Sequence, residues 1–215
     1  ELIRPLRPTN STRPPWADDA LSWVFDQLQS LPSFSPETLA LLLTLMQTMP
    51  SLSMASHRMI PPFKQANPLA PANLPALASI LREATPMHWN SDTPAPKAGT
   101  WTAHLPFVWD MVLDLYLGKP HDKNLQGDHD LDGMSSEHQA LLKGAAPFPD
   151  FFRVVVDESL FATQASPERK SWGFQVLHRT LPRASADVLP FLFTPNLMRT
   201  WVNQLSVPDR LLHSM

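Results

Sequence analysis

The sequence predicts an all-α fold from three observations. Apolar residues recur at helical spacing in several segments, whereas none alternates as a half-buried strand does. Serine or threonine precedes proline at Ser35-Pro36, Ser166-Pro167 and Thr194-Pro195. This is a helix-start signal, because the hydroxyl can accept a free N–H of the first turn. Proline is abundant (24 of 215 residues) while glycine is scarce (6), so the prolines read as helix starts and stiff connectors.

The first half of the chain predicts a basic arm and a first helical block. Residues 1–15 are arginine- and proline-rich and indicate an extended arm or linker. Amphipathic spacing predicts helices over 18–31 and 36–49, the second apolar on more than one side. A proline-punctuated connector over 50–75 precedes a short helix over 74–83, a loop over 86–99 and a helical pattern over 102–117. Residues 16–117 are therefore expected to form a helical-repeat segment with long connectors.

The second half predicts an insertion and a second helical block. Residues 118–146 are polar and acidic, which indicates a flexible insertion between helices. Helices are expected over 149–163, 167–181, 186–193 and 195–205, and another begins at Pro208. The chain stops within that helix, so we expect residues 147–215 to be a helical segment of a longer chain.

Composition excludes several functional classes. A formal charge of −3 and a pI near 6.2 argue against a dedicated DNA-binding domain, which is normally basic. The absence of cysteine excludes disulfides, thiolate chemistry and cysteine-ligated zinc, and fits a reducing intracellular compartment. No apolar run approaches the roughly 18–20 residues that span a bilayer, so no membrane association is expected.

A resemblance to a known family is carried by the second helical block. The matching residues are Val156-Asp157-Glu158-Ser159-Leu160-Phe161, Ala165-Ser166-Pro167-Glu168-Arg169-Lys170, Trp172-Gly173-Phe174, Leu192-Phe193-Thr194-Pro195-Asn196-Leu197-Met198, Asn203-Gln204-Leu205, Asp209-Arg210 and Leu212-His213, with a weaker echo at Phe107-Val108-Trp109-Asp110. These segments resemble the Myb-binding protein 1A family, whose fungal members are called DNA polymerase phi or the fifth DNA polymerase.

The resemblance implies a fold and a function. It implies a HEAT- or armadillo-like helical-repeat solenoid in the nucleus and nucleolus. The implied role is a non-enzymatic scaffold in ribosome biogenesis, serving ribosomal RNA synthesis and large-subunit assembly. Pre-ribosomal proteins are the implied partners, with ribosomal RNA or rDNA-associated transcription factors as further ones. The alternative is a transcription-regulatory adaptor whose helical groove holds amphipathic segments of transcription factors.

The candidate RNA- or partner-binding residues are cations of the second helical block. They are Arg153, Arg169, Lys170, Arg179, Arg199 and Arg210, with Arg183 in the same stretch. Cations on successive helices could line one surface and follow an RNA backbone through guanidinium contacts. The alternative is that they are ordinary surface charges, paired with the local acids Asp150, Asp157, Glu158, Glu168 and Asp187.

No motif predicts catalysis, a metal or a cofactor. The segment Asp128-His129-Asp130-Leu131-Asp132-Gly133 begins like a calcium loop, but Gln139 stands where a bidentate carboxylate is required. The spacings of His121, His129 and His138 fit no structural zinc pattern. Asp110 and Asp114 come nearest to a polymerase carboxylate pair, yet they lie one turn apart on a predicted helix rather than on a sheet. The sequence therefore predicts a protein that is not an enzyme.

Overall fold

The computed structural model describes residues 16–48, 60–83, 105–118 and 142–206, and within these ranges the chain is helical and contains no strand. The helices are α1 (Trp16–Ser30), α2 (Pro36–Thr48), α3 (Leu74–Arg82), α4 (Phe107–Leu117), α5, α6 (Pro167–Thr180), α7 (Leu189–Leu192) and α8 (Pro195–Leu205). Helix α5 runs through Phe148–Phe151, a π-helical turn over Phe152–Asp157, and Glu158–Leu160. The all-α prediction is confirmed.

Helix α2 is the buried helix of the first block. The Thr38 N–H donates to Ser35 Oγ at 3.2 Å, which confirms the predicted helix start at Ser35-Pro36. Leu39, Leu42 and Leu43 are buried, as is Leu45 on another side of the helix. α2 packs against both α3 and α4, and this accounts for its apolar character on more than one face.

The connector before α3 folds around the buried side chain of Asn73. Asn73 Oδ1 accepts the N–H groups of Lys64 at 2.7 Å and Gln65 at 3.2 Å. Its Nδ2 donates to the carbonyls of Gln65 at 2.9 Å and Asn67 at 2.7 Å. One amide thus satisfies four backbone groups, and a loop without regular structure is held against the helical core.

Helix α5 lies at the centre of the described structure. α3, α6 and α8 all contact its π-helical turn, where Phe152, Val155 and Val156 are buried. The wider turn is recorded by backbone bonds spanning five residues, such as that from the Phe161 N–H to the Val156 carbonyl at 3.3 Å. α5 therefore positions the helices that carry the candidate site.

Two predicted helices are shorter in the structure, and proline explains both. In the pattern over 102–117, residues 102–104 lie outside the described residues, and residues 105 and 106 are not helical. Helix α4 begins at Phe107, because Pro106 is extended (ψ 141°) and a residue before proline, here Leu105, disfavours helical backbone. The helix expected over 186–193 is limited to Leu189–Leu192, since Pro190 has no N–H and is tolerated only in a first turn. The helix expected over 149–163 spans 148–160. Residues 119–141 of the predicted insertion, and the helix start at Pro208, lie outside the described residues.

Gly173 permits a close approach that a side chain would block. A β-carbon at this position would lie 2.5–2.9 Å from ring carbons of Phe161, which follows α5 and is fully buried. The Phe161 ring also meets Phe174 edge to face, with centroids 5.1 Å apart. The glycine therefore lets the Phe161 ring lie directly against α6.

Candidate functional site

Two arginines of the second helical block form ion pairs with two aspartates of α4. Arg179, in the last turn of α6, donates to Asp110 Oδ1. Arg183, in the turn after α6, donates to Asp114 Oδ1 at 2.7 Å and to the carbonyl of Gly118, where α4 ends. We call the pairs Arg179–Asp110 and Arg183–Asp114 the arginine clasp. A guanidinium at the carboxyl end of α4 also meets the negative end of the helix dipole.

The clasp has a regular spacing that fixes helix direction. Asp110 and Asp114 are four residues apart, and so are Arg179 and Arg183. Nearer the start of both helices, the side chain of Gln175 accepts the N–H of Leu105 at 3.3 Å. Because the partner number rises along both helices together, α4 and α6 run side by side in the same direction.

The arginine clasp engages the two carboxylates, Asp110 and Asp114, that a catalytic metal-binding pair would need free. A two-metal site would need both carboxylates turned toward a shared divalent cation. Here each carboxylate holds a guanidinium instead. Within the described ranges, no group of three or more His, Cys, Asp or Glu side chains is placed to hold a metal ion. The calcium-like loop from Asp128 to Gly133 lies outside those ranges.

Asp157 joins α5 to the start of α8. Its carboxylate, buried in the π-helical turn, accepts the Thr194 hydroxyl at 2.6 Å and the Leu197 N–H at 2.8 Å. The sequence predicted that the Thr194 hydroxyl would accept the first-turn N–H of α8. Instead the hydroxyl donates to Asp157, and this aspartate of α5 accepts the N–H and caps α8. A carboxylate at a helix N-terminus satisfies a free donor and suits the helix dipole. Ser166 does cap α6 as predicted, accepting the Arg169 N–H at 3.3 Å.

The predicted cations therefore fall into three groups. The first group is paired with carboxylates: Arg179 is in the arginine clasp, and the exposed Arg153 is paired with Glu158 at 2.8 Å and Asp150 at 3.6 Å, as the surface-charge alternative expected. Arg169, Lys170 and Arg199 form no ion pair with any other residue that the structure describes, and Arg199 is exposed on α8. Arg210 lies outside the described residues. Arg169 and Lys170 are adjacent in the first turns of α6, so they place two unpaired positive charges together.

Helix α8 presents an apolar stripe that the sequence reasoning missed. Its buried side, with Leu197 and Thr200, faces the core. Met198, Val202 and Leu205 are 40%, 57% and 60% exposed. Their spacing of four and three residues places them on one face of the helix. The sequence contains a signal for this stripe, because the apolar residues of the helix predicted over 195–205 fall on two of its sides.

A family model of DNA polymerase phi matches residues 8–215, and the chain belongs to this family. The chain is 31% identical over 151 residues to "rDNA transcriptional regulator pol5" of Schizosaccharomyces pombe, a match covering 70% of this chain and 13% of the relative.

A second relative has the same name. The chain is 30% identical over 159 residues to "rDNA transcriptional regulator POL5" of Saccharomyces cerevisiae, covering 72% of this chain and 15% of that protein. The chain thus spans about one seventh of the length of these relatives. Both names describe regulators of transcription rather than polymerases, in agreement with the prediction that the chain is not an enzyme. No solved structure gives a significant match. None of the described helices is both long enough and apolar enough to cross a membrane.

Proposed function

We propose that this chain is part of a non-enzymatic nucleolar scaffold that supports rDNA transcription and ribosome biogenesis. The observation that carries the proposal is the match to two fungal proteins named as rDNA transcriptional regulators over 70% and 72% of this chain. Nuclear and nucleolar localisation, and pre-ribosomal proteins as partners, follow from the same proposal.

The arginine clasp supports a structural rather than a catalytic use of the acidic residues. Asp110 is 49% exposed and its partner Arg179 is 39% exposed, so replacing the carboxylate by an amide changes stability little. A metal-dependent polymerase would lose its activity if it lost one of two metal-binding carboxylates. The two functions therefore differ in how they respond to Asp110→Asn.

Rescue of ribosomal RNA synthesis tests the proposal. The native protein is depleted from cells, and the protein carrying this chain is supplied as wild type or with Asp110→Asn. We expect depletion to lower the rate at which newly made ribosomal RNA is labelled, and both forms to restore it equally. Failure of depletion to affect labelling, or failure of Asp110→Asn to restore it at normal protein level, would contradict the proposal.

A helical-repeat solenoid is the architecture that we propose for the scaffold. In a stack of antiparallel helix pairs, equivalent helices of successive pairs run in the same direction. α4 and α6 run side by side in one direction, joined by the clasp and by Gln175. That arrangement supports the solenoid, in which α4 and α6 belong to neighbouring pairs.

We assign the RNA-contacting role to Arg169, Lys170 and Arg199. Arg179 and Arg153 already have carboxylate partners that offset part of their charge, so the unpaired cations are favoured for contact with phosphate. The three remaining cations lie on α6 and α8, both of which pack on the π-helical turn of α5. Each phosphate that they neutralise releases counterions, so the contact is expected to weaken steeply with salt.

The α8 stripe favours a second function, that of an adaptor for amphipathic helices. Three large apolar side chains on one face are what a helix-in-groove partner requires. Binding of an apolar helical peptide to α8 would be insensitive to salt, unlike RNA binding. Loss of such binding in Val202→Asp, with RNA contact unchanged, would support the adaptor over the RNA-contacting scaffold.

A further inference from the structure

The three helix starts in which serine or threonine precedes proline differ in how accessible the hydroxyl is. Thr194 is 7% exposed, and its hydroxyl donates to Asp157. Ser35 is half-buried, and the proline that follows it is buried. Ser166 and Pro167 are both exposed, and they lie where the chain passes from α5 to α6. Of these three helix starts, Ser166-Pro167 is therefore the one that an enzyme can reach without unpacking the core.

The residues after Ser166 match the substrate preference of one class of protein kinase. Proline-directed kinases transfer phosphate to a serine that directly precedes proline, and many of them favour a cation three residues after that serine. Here Pro167 follows the serine, Arg169 is at the third position and Lys170 is at the fourth. Kinases use such charge patterns to select their substrates. The segment therefore has both features that a proline-directed kinase recognises.

The backbone at Ser166 is suited to presentation to a kinase. Ser166 is extended (φ −62°, ψ 157°), and residues 161–166 are not helical. The first turn of α6 begins at Pro167 and has to open when the enzyme binds, and helix ends open at little cost. The contact that opens is the cap, in which the Arg169 N–H donates to the serine Oγ at 3.3 Å. A local change is therefore enough to bring the segment into a kinase cleft.

We propose that Ser166 is a phosphorylation site of a proline-directed protein kinase, and that the phosphate switches off the RNA contact of Arg169 and Lys170. The serine Oγ attacks the γ-phosphorus of ATP while the bond from that phosphorus to the β,γ-bridging oxygen breaks. The hydroxyl proton passes to a carboxylate base of the kinase, and ADP leaves. The switch rests on the proposed RNA contact, whereas the phosphorylation site does not.

The phosphate inverts the charge at the start of α6. Glu168, Arg169 and Lys170 are one acid and two cations, and the two cations form no ion pair with any other residue that the structure describes. A phosphoserine adds about −1.5 to −2 near neutral pH, so this turn becomes net negative. It then loses its attraction for RNA phosphate, which depends on unneutralised cations. Because negative charge is favourable at a helix N-terminus, α6 stays folded.

Mass spectrometry tests the phosphorylation site. The full-length protein that carries this chain is purified from cells, and a second sample is treated with a cyclin-dependent kinase and Mg-ATP. Trypsin releases residues 154–169, and fragmentation of this peptide distinguishes Ser166 from Ser159 and Thr163. We expect phosphate on Ser166 in both samples and its loss in Pro167→Ala, which keeps the hydroxyl. Absence of phosphate from Ser166 in either sample, or equal phosphorylation of Pro167→Ala, would overturn the proposal.

Two substitutions at Ser166 separate the charge from the helix cap. Ser166→Asp and Ser166→Asn both keep a side chain that caps a helix well, and only the aspartate adds a negative charge. Ser35→Asp adds the same charge at the start of α2 and is the control for position. We expect in-cell crosslinks to ribosomal RNA to fall at least about threefold with Ser166→Asp, and to stay at the wild-type level with Ser166→Asn and Ser35→Asp. Equal crosslinks for Ser166→Asp and Ser166→Asn would overturn the switch.

Arg169→Glu/Lys170→Glu separates failure of the switch from failure of the proposed RNA contact. If this variant loses crosslinks while Ser166→Asp retains them, the RNA contact holds and the switch is wrong. If neither variant loses crosslinks, both are wrong. Ser166→Asp should also unfold at a temperature no lower than that of Ser166→Asn, so that lost crosslinks report charge. Earlier unfolding of Ser166→Asp would contradict a phosphate that leaves α6 folded.

Discussion

The two pairs of the arginine clasp look alike in sequence but should differ in their contribution to stability. The perturbations are Arg183→Met and Arg179→Met, which keep the aliphatic stem and remove the charge. The Arg183 side chain is 9% exposed and that of Asp114 is 31% exposed. Arg179 and Asp110 are 39% and 49% exposed. The Arg183–Asp114 pair is therefore more buried than the Arg179–Asp110 pair.

The magnitudes follow from burial and from the number of hydrogen bonds. Arg183 donates to a carboxylate and to the Gly118 carbonyl, and hydrogen bonds from charged groups contribute about 1.5–3 kcal/mol each. Asp114 can recover some hydration, so the loss stays below the 3–5 kcal/mol typical of breaking a fully buried pair. We expect Arg183→Met to lower the free energy of unfolding by about 2–3 kcal/mol. The exposed pair should contribute about 0–1 kcal/mol, so Arg179→Met should cost little.

Denaturant unfolding, followed by circular dichroism and tryptophan fluorescence, measures both values. Pairing each variant with Asp114→Asn or Asp110→Asn gives two double-mutant cycles. The coupling free energy should be well above the experimental error for Arg183–Asp114 and near zero for Arg179–Asp110. Equal costs for the two arginines, or a larger coupling for the exposed pair, would refute the reasoning from burial.

Three further predictions concern α5, α6 and the single tyrosine. Asp157→Ala should lower the free energy of unfolding by about 2–4 kcal/mol, because it leaves the Thr194 hydroxyl and the first-turn N–H of α8 without a hydrogen-bond acceptor. A loss below about 0.5 kcal/mol in denaturant unfolding would be inconsistent with the cap. Gly173→Ala should cost about 1–2 kcal/mol, since its contact with the Phe161 ring outweighs the better helix propensity of alanine, and the cost should shrink in a Phe161→Leu background. Burial raises the pKa of Tyr116, the only tyrosine in the chain. Above pH about 10 the unfolded chain therefore loses the phenol proton while the folded chain keeps it, and stability falls as pH rises, by up to about 1.4 kcal/mol per pH unit. Ultraviolet absorbance should show tyrosinate only as the protein unfolds; its appearance near pH 10 with an intact helical signal would show an accessible phenol.

The fold was predictable where local chemistry decides it. Ser35-Pro36 and Ser166-Pro167 start helices through their own hydroxyls, and α8 begins and ends as its periodicity indicates. Prediction was wrong where proline geometry and nonlocal packing override local pattern. Leu105 is apolar and in register, yet Pro106 delays α4, and the π-helical turn in α5 depends on three helices packed around it.

The candidate site was less predictable because it depends on contacts far apart in sequence. Asp110 and Asp114 share their spacing with Arg179 and Arg183, but nothing local says that α4 and α6 lie side by side. The capping of α8 by Asp157 likewise joins residues 40 positions apart. Sequence reasoning treated the cations of the second helical block as one group, whereas the packed structure separates the paired ones from the unpaired ones.

The most direct test of the account is whether the unpaired cations of α6 contact ribosomal RNA. In-cell RNA crosslinking compares the wild-type protein carrying this chain with Arg169→Glu/Lys170→Glu, in which the new acids lie near a helix N-terminus and suit the helix dipole. Lys64→Glu/Lys143→Glu changes the charge equally at exposed positions outside α6 and is the matched control. We predict loss of ribosomal RNA crosslinks in the α6 variant alone, at normal protein level. Unchanged crosslinks in that variant, or equal loss in the control, would contradict the assignment of RNA contact to this surface.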